Sequence, residues 1–206
     1  MENHPRFFEV IWGCHYAGLI YTACSSRLTS DELSYIINDC GAKGFITSKY
    51  KSDQAAEIIN DIPQAALRLM VDGTIPGFDS YEQAVSQHST EPLTERISGM
   101  DMLYSSGTTG RPKGVKGVLP RTELTTQNGV ANLAQMLFSM TEDAVYLSPA
   151  PLYHAAPLRF NLATMFTGAT SVIMEHFDAE EYLGYVEKYN ITHSQLVPTM
   201  FVRMLK

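Results

Sequence analysis

Helix and strand patterns alternate along most of the sequence, and this alternation most constrains the fold. Thr29 and Glu32 have the pattern of a capping box at a helix start, and residues 44–47 follow as a short apolar strand. Further strand patterns begin at Leu67, Met100, Asp143, Ser171 and Ile191. Because a helix that connects two strands lets the second strand run in the same direction as the first, the strands are expected to be largely parallel. The sequence therefore predicts an α/β fold, with layered, mostly parallel sheets covered by helices.

The amino-terminal residues 7–24 form an apolar run that ends in a cysteine, as a lipoprotein signal or a membrane span would. Glu9 and His15 lie inside this run, and only Arg6 provides a basic start. A carboxylate is costly in hydrocarbon, so a membrane span is disfavoured. We predict a buried helix followed by a strand here, and no transmembrane segment.

Composition limits the possible partners and the compartment. Apolar residues make up 45% of the chain and charged residues 18%, which is enough for a sizeable core. The net charge of −7 argues against a nucleic-acid partner. The three cysteines, Cys14, Cys24 and Cys40, lack the spacing of a metal site, and their odd number fits a reduced, cytoplasmic setting.

The polar residues 89–100 predict a surface link between a first α/β portion, residues 1–88, and a second, residues 101–206. No strand pattern precedes the first helix, and the helix pattern at the carboxyl end has no successor. We therefore expect part of a large domain within a longer protein. Sheet edges that would meet missing strands are expected to promote self-association.

Residues 105–114 contain an unusual density of polar groups and glycines. Hydroxyls, glycine amides and cations together suit a phosphate ligand. The segment is not a Walker A loop, because Pro112 precedes Lys113 and Gly114 follows it. We predict an exposed loop between a strand and a long helix at about residues 122–140. Composition alone leaves an ordinary polar surface turn as the alternative.

The string "YSSGTTGRPKGV" resembles the phosphate-binding motif of the adenylate-forming enzymes, which include acyl-CoA synthetases, luciferases and the adenylation domains of peptide synthetases. The segments "MENHPRFFEVIWGCHYAG", "SSRLTSDELSYIINDCGAKGFITS", "PLYHAAPL" and "LVPTMFVRML" are also similar to family segments, so the resemblance covers essentially the whole chain. Fatty-acyl-CoA synthetases look most similar. One departure follows the loop, where Pro120 and Arg121 stand in place of a Thr-His pair.

The resemblance implies a two-step reaction, in which ATP and a carboxylic acid form an acyl-adenylate and coenzyme A then takes the acyl group. It implies Mg²⁺ as a cofactor. Lys113 and His154 would be catalytic, and Tyr153 and His154 would line the acyl site. A buried core histidine is the alternative for His154. His193 is expected to be a strand-face residue. The implied phosphate ligands are Ser105, Ser106, Gly107, Thr108, Thr109, Gly110, Arg111, Lys113 and Gly114.

The family's later motifs, Tyr-Gly-x-Thr-Glu and Thr-Gly-Asp, and its lysine-bearing carboxyl-terminal domain are expected to be absent from this chain. The resemblance thus implies an ATP-dependent acyl-CoA synthetase, with a fatty acid as substrate, of which residues 1–206 alone are inactive. Two alternatives stay open. One is a ligase that adenylates an aryl or amino acid, and the other is a non-catalytic nucleotide-binding or interaction module.

Overall fold

The structure, a computed structural model, describes residues 1–105, 111–119, 121–124 and 129–206. The chain divides into two compact units, Met1–Leu124 and Thr125–Lys206. The first unit contains α1 (Arg6–Tyr16), β1 (Ile20–Tyr21), α2 (Ser30–Asp39), β2 (Gly44–Ser48), a 3₁₀ turn (Lys49–Lys51), α3 (Ser52–Ile58), β3 (Leu67–Val71), β4 (Asp79–Ser80), α4 (Tyr81–Ser86), β5 (Met100–Asp101), β6 (Leu103–Ser105) and β7 (Lys113–Val115). The second contains α5 (Gly129–Phe138), β8 (Val145–Ser148), α6 (Ala155–Phe166), β9 (Thr170–Ile173), α7 (Ala179–Lys188), β10 (His193–Ser194) and α8 (Pro198–Met204).

Parallel pairing dominates both units, as the alternating pattern predicts. In the first unit β2, β3 and β4 form one parallel sheet, and β1 pairs in parallel with β5. In the second unit β8 lies between β10 and β9, again with parallel pairing. The α/β fold class is therefore confirmed.

The capping box at the start of α2 is present in full. The Glu32 main-chain N–H donates to Thr29 Oγ1 at 3.3 Å, and the Thr29 N–H donates to Glu32 Oε2 at 2.9 Å. The apolar stripe of α2 is buried against Ile58 and Ile62. The helix ends before Gly41, which has a φ of 65° that glycine adopts without strain. Local sequence therefore fixes both ends of α2.

The apolar residues 7–24 form α1 and β1, which confirms the prediction of a helix followed by a strand. Phe7, Phe8 and Ile11 are buried on one side of α1. Within the described part of the chain, no helix combines the length and the apolar character needed to cross a membrane.

The segment between the predicted link and the long helix differs from expectation. Thr122 was predicted to start that helix, but its carbonyl accepts from the Ser98 N–H at 2.9 Å, and Glu123 forms a β-bridge with Ile97. The described part of the helix is α5, and residues 125–128 lie outside the described residues. Backbone pairing between distant segments thus outweighs helix propensity at residues 122–124. The same pairing joins these residues to Ile97 and Ser98 of the predicted link.

The second unit has its apolar core around β8. Tyr182 of α7 is buried against Leu147 and Met174. His193 lies in β10, where its Nε2 is 2.8 Å from the Phe138 carbonyl oxygen. This contact agrees with a structural role for His193.

Among the described glycines of the first unit, Gly99 has main-chain atoms closest to the position that a Cβ atom would take. A Cβ atom there would lie 2.4 Å from the Leu19 carbonyl oxygen and 2.5 Å from that of Cys14. We expect Gly99→Ala to lower the free energy of unfolding by roughly 3 kcal/mol, because main-chain atoms must move. The control is Gly13→Ala in α1, where nothing lies within 4 Å and alanine should stabilise by about 0.5–1 kcal/mol. Urea unfolding of both variants measures the difference, and equal stabilities would contradict the prediction.

Candidate functional site

The predicted phosphate segment is part of a β-hairpin. β6 and β7 pair in antiparallel register, with Tyr104 opposite Gly114 and Ser105 opposite Lys113. The expectation that the loop extends from Ser105 to Gly114 and leads into a helix is therefore wrong, because Ser105, Lys113 and Gly114 belong to strands. Lys-Gly-Val is too short to show strand periodicity, and its pairing with β6 is what makes it a strand. Residues Ser106, Gly107, Thr108, Thr109 and Gly110 lie outside the described residues.

Two of the expected phosphate ligands lie side by side on this hairpin. Ser105 and Lys113 are directly opposite each other in the ladder, so their side chains lie on the same face of the hairpin. Both residues are exposed. The Lys113 side chain has no hydrogen-bond or ion-pair partner among the residues that the structure describes. The Ser105 hydroxyl and the Lys113 cation therefore lie on one face of the hairpin, at the end that adjoins residues 106–112.

Gly114 is required by the packing of the opposite strand. A Cβ atom at this position would lie 2.8 Å from Cζ of the Tyr104 ring and 2.4 Å from the Met102 terminal methyl carbon. The Tyr104 ring therefore covers Gly114 across the ladder. This packing explains why position 114 is a glycine without reference to a ligand. The expected contact between Gly114 and phosphate stays a prediction.

Two contacts anchor the hairpin to α2. The Tyr104 hydroxyl donates to Asp39 Oδ2 at 2.5 Å, and the Arg111 guanidinium lies 4.9 Å from the centre of the Tyr35 ring. Tyr35 and Asp39 are one turn apart on α2, so they present one face to the hairpin. Burial, followed by the hydrogen bond to the Asp39 carboxylate, raises the pKa of Tyr104. One helix face therefore positions both sides of the hairpin.

The position of Arg111 on Tyr35 leads to a prediction. A cation over an exposed aromatic ring contributes about 0.5–1 kcal/mol. We expect Tyr35→Ala to accelerate hydrogen exchange of the β7 amides about two- to fivefold, and Tyr35→Phe to leave it unchanged. Tyr50→Ala is the matched control, since Lys51 lies 5.5 Å from the centre of the Tyr50 ring and both residues belong to the 3₁₀ turn, not to α2 or the hairpin. Equal exchange rates in Tyr35→Ala and the unsubstituted chain would show that this contact does not hold the hairpin.

The predicted acyl-site residues lie in the second unit, after the carboxyl end of β8. Tyr153 is half-buried, and its ring centre is 4.5 Å from that of His154. His154 precedes α6 and is exposed, which excludes the alternative of a buried core histidine. The carboxyl ends of parallel strands are where ligands of α/β proteins commonly bind.

The structure thus groups Ser105, Arg111, Lys113 and Gly114 in the first unit, and Tyr153 with His154 in the second. The anchoring residues on α2, Tyr35 and Asp39, could not be predicted from the sequence, because a contact between distant segments has no local pattern. In the described ranges, no group of three or more His, Cys, Asp or Glu residues could hold a metal ion.

The chain is similar in sequence and in fold to several known proteins. A family model described as AMP-binding enzyme matches residues 1–206. The 4-hydroxybutyrate–CoA ligase 2 of Metallosphaera sedula is 30% identical, over 98% of this chain and 38% of its own length. A feruloyl-CoA synthase of an Amycolatopsis species is also 30% identical, over 97% and 38%. A solved long-chain-fatty-acid–CoA ligase from Archaeoglobus fulgidus has the same fold, with a TM-score of 0.82 at 18% identity over 99% of this chain and 40% of that one. The chain spans 38–40% of the length of these relatives.

Proposed function

Residues 1–206 belong to the family of AMP-binding enzymes, and from that premise we propose that they carry the triphosphate-binding hairpin and part of the acyl site of an acid–thiol ligase. The enzyme would join a carboxylic acid to AMP, release pyrophosphate, and transfer the acyl group to coenzyme A. The pairing of Ser105 with Lys113 on the exposed face of the hairpin is the observation that carries this proposal.

The hairpin residues would act on the phosphates of ATP. During the first step negative charge grows on the leaving pyrophosphate, and fixed cations and donors stabilise such charge. Lys113 would supply the charge and Ser105 a hydroxyl donor, while the motif residues 106–110 would contribute amides and hydroxyls. The motif leads into β7 and not directly into a helix, so the proposal assigns the phosphate contacts to side chains and main-chain amides and not to a helix dipole.

Arg111 has a second role in this proposal. Its guanidinium already lies on the Tyr35 ring. Stacking on an aromatic ring leaves the edge of the guanidinium plane able to donate to an oxygen. Arg111 would therefore hold the hairpin on α2 and still donate to a phosphate oxygen. Loss of Tyr35 should then weaken ATP binding through the position of Arg111.

His154 would act at the acid. An exposed imidazole beside the Tyr153 ring, after the end of β8, could orient a carboxylate through one N–H donor. Mg²⁺ would supply charge neutralisation on the phosphates when bound. The described residues show no cluster that fits a metal ion, so no step of this proposal is assigned to protein-bound Mg²⁺.

The acid itself is proposed to be a fatty acid. The related 4-hydroxybutyrate–CoA ligase is named for an aliphatic acid, which supports this choice. The related feruloyl-CoA synthase is named for an aryl acid, so an aryl substrate is the second candidate. Both candidates share the adenylation step and the same use of the hairpin.

A panel assay tests the proposal. Residues 1–206 would be placed in an enzyme of the relatives' length, and pyrophosphate release measured with fatty, hydroxy, aryl and amino acids. Pyrophosphate release that prefers fatty acids, together with fatty-acyl-CoA formation when coenzyme A is added, supports the full proposal. Preference for aryl or amino acids overturns the fatty-acid assignment. ATP binding without release for any acid would instead favour a non-catalytic nucleotide-binding module.

A further inference from the structure

Asn161 is a fully buried polar residue on the inner face of α6, where most other buried side chains are apolar. Its side-chain Nδ2 donates to Ser148 Oγ at 2.8 Å and to the Pro157 carbonyl oxygen at 2.7 Å. Because a carbonyl oxygen can only accept, the nitrogen of the amide must face Pro157. The orientation of the Asn161 amide is therefore fixed by its partners.

Ser148 provides a rigid partner for this amide. It is the last residue of β8, the central strand of the sheet in the second unit, and it is fully buried. Ser148 lies opposite Ile173 of β9, and its carbonyl accepts from the Met174 N–H at 3.1 Å. Sheet pairing therefore holds the Ser148 backbone, and the bond from Asn161 joins α6 to the carboxyl end of β8.

His154 lies at the start of the same helix. Its carbonyl accepts from the Leu158 N–H at 3.1 Å, and its own N–H donates to the Pro151 carbonyl at 3.2 Å. Leu158 is fully buried and follows Pro157, whose carbonyl accepts from Asn161. The first turn of α6 thus holds the main chain of His154, and the Asn161 amide holds that turn on β8.

Stability alone does not explain an asparagine at position 161. Its Oδ1 is buried and has no hydrogen-bond partner among the described residues. A buried amide oxygen without a partner is unfavourable, whereas a leucine of similar size would bury apolar surface at the same position. Proteins tend to break such packing rules where function requires it. A role in positioning other groups accounts for the buried amide.

We propose that Asn161 is a positioning residue for the acid-binding step, because its bonds to Ser148 and Pro157 fix the start of α6 and thereby the place of the His154 imidazole. This inference rests on the proposed role of His154 at the carboxylic acid. Asn161 is fully buried, so it acts through His154 and not on the acid itself. A misplacement of about 1 Å can lower a rate about 100-fold, so a buried bond about two helical turns away is sufficient to affect catalysis.

Hydrogen exchange in residues 1–206 tests the link between Asn161 and His154. The Leu158 amide is the reporter, because it donates to the His154 carbonyl. We expect Asn161→Leu to accelerate its exchange at least about fivefold, as for the loss of one buried hydrogen bond. The Ala169 amide, which donates to the Thr164 carbonyl near the far end of α6, should exchange at an unchanged rate.

Thr164→Val is the matched control. Thr164 is also fully buried on α6, and its Oγ1 donates to the carbonyl of Phe160, four residues earlier, at 2.8 Å. We expect this variant to change exchange at Leu158 less than about twofold, because it leaves the bond between Asn161 and Ser148 intact. Ser148→Ala removes that bond from the other side and should accelerate exchange as Asn161→Leu does. It keeps the test decisive if Asn161→Leu does not fold.

Kinetics with the acid test whether the link serves His154. The protein is an enzyme of the relatives' length that contains residues 1–206, and the substrate is the acid that the panel assay prefers. Asn161→Leu should raise the KM for this acid about tenfold and change the KM for ATP less than about twofold, a split that loss of folded enzyme does not produce. In His154→Ala, the further substitution Asn161→Leu should cause no additional rise, because the two residues act as one unit.

Each of three results would overturn the inference. Unchanged Leu158 exchange in both Asn161→Leu and Ser148→Ala, or equal acceleration in Thr164→Val, would show that the bond does not hold the start of α6. Independent effects of Asn161→Leu and His154→Ala on the KM for the acid would show that Asn161 does not act through His154, while the proposed function stands. An unchanged KM for the acid in His154→Ala would overturn the proposed role of His154, and this inference with it.

Discussion

Lys113→Ala is expected to lower the rate of adenylate formation at least about 100-fold, because one preorganised donor to a developing negative charge contributes a factor of this size. Stability should change by less than about 0.5 kcal/mol, since the exposed side chain has no partner among the described residues. The measurement is pyrophosphate exchange in an enzyme of the relatives' length that contains residues 1–206, together with thermal unfolding of the same protein.

Lys116→Ala is the matched control for this substitution. Lys116 is also exposed and lies just after β7, but it is outside the predicted phosphate motif. We expect its loss to change the exchange rate less than about threefold, as for a surface charge remote from the reacting atoms. Normal pyrophosphate exchange with a collapsed melting temperature in Lys113→Ala would show that the lysine is structural.

Residues 1–206 alone are expected to make no acyl-CoA. Catalysis requires the nucleotide, the acid and the metal to be held together, and alignment of reactants can account for about 7–11 kcal/mol of the barrier. This chain spans 38–40% of the length of its relatives, and the proposal assigns to it only the hairpin and part of an acyl site. We therefore expect it to lack most of that alignment.

Weak ATP binding is the second part of this expectation. Hydrogen bonds to charged groups contribute roughly 1.5–3 kcal/mol each, and those at the hairpin are exposed. The cost of immobilising ATP is of similar size, so the Kd should be no tighter than about 1 mM. Calorimetry with ATP, and an assay with ATP, Mg²⁺, fatty acid and coenzyme A, measure both quantities. Turnover that co-purifies with the protein and disappears in Lys113→Ala would contradict this prediction.

Local sequence was sufficient for the elements that are stabilised by their own residues. The capping box of α2, the helix at residues 6–16 and the parallel strands after each helix were all predictable. Each depends on caps or on apolar periodicity, which are contained within a few residues of the chain. The motif in residues 105–114 likewise identified the family before any geometry was known.

Tertiary structure decided the features that depend on pairing between distant segments. Lys113 and Gly114 form a strand only because β6 lies beside them, and Tyr104 and Arg111 find their partners on α2, far away in sequence. Glu123 forms a bridge with Ile97 although its local sequence favours a helix. Such contacts are selected by the free energy of burying and pairing whole segments, which no local pattern encodes. The sequence by itself therefore predicted the motif residues and the acyl-site residues, and the fold alone showed that Tyr35 and Asp39 hold the hairpin.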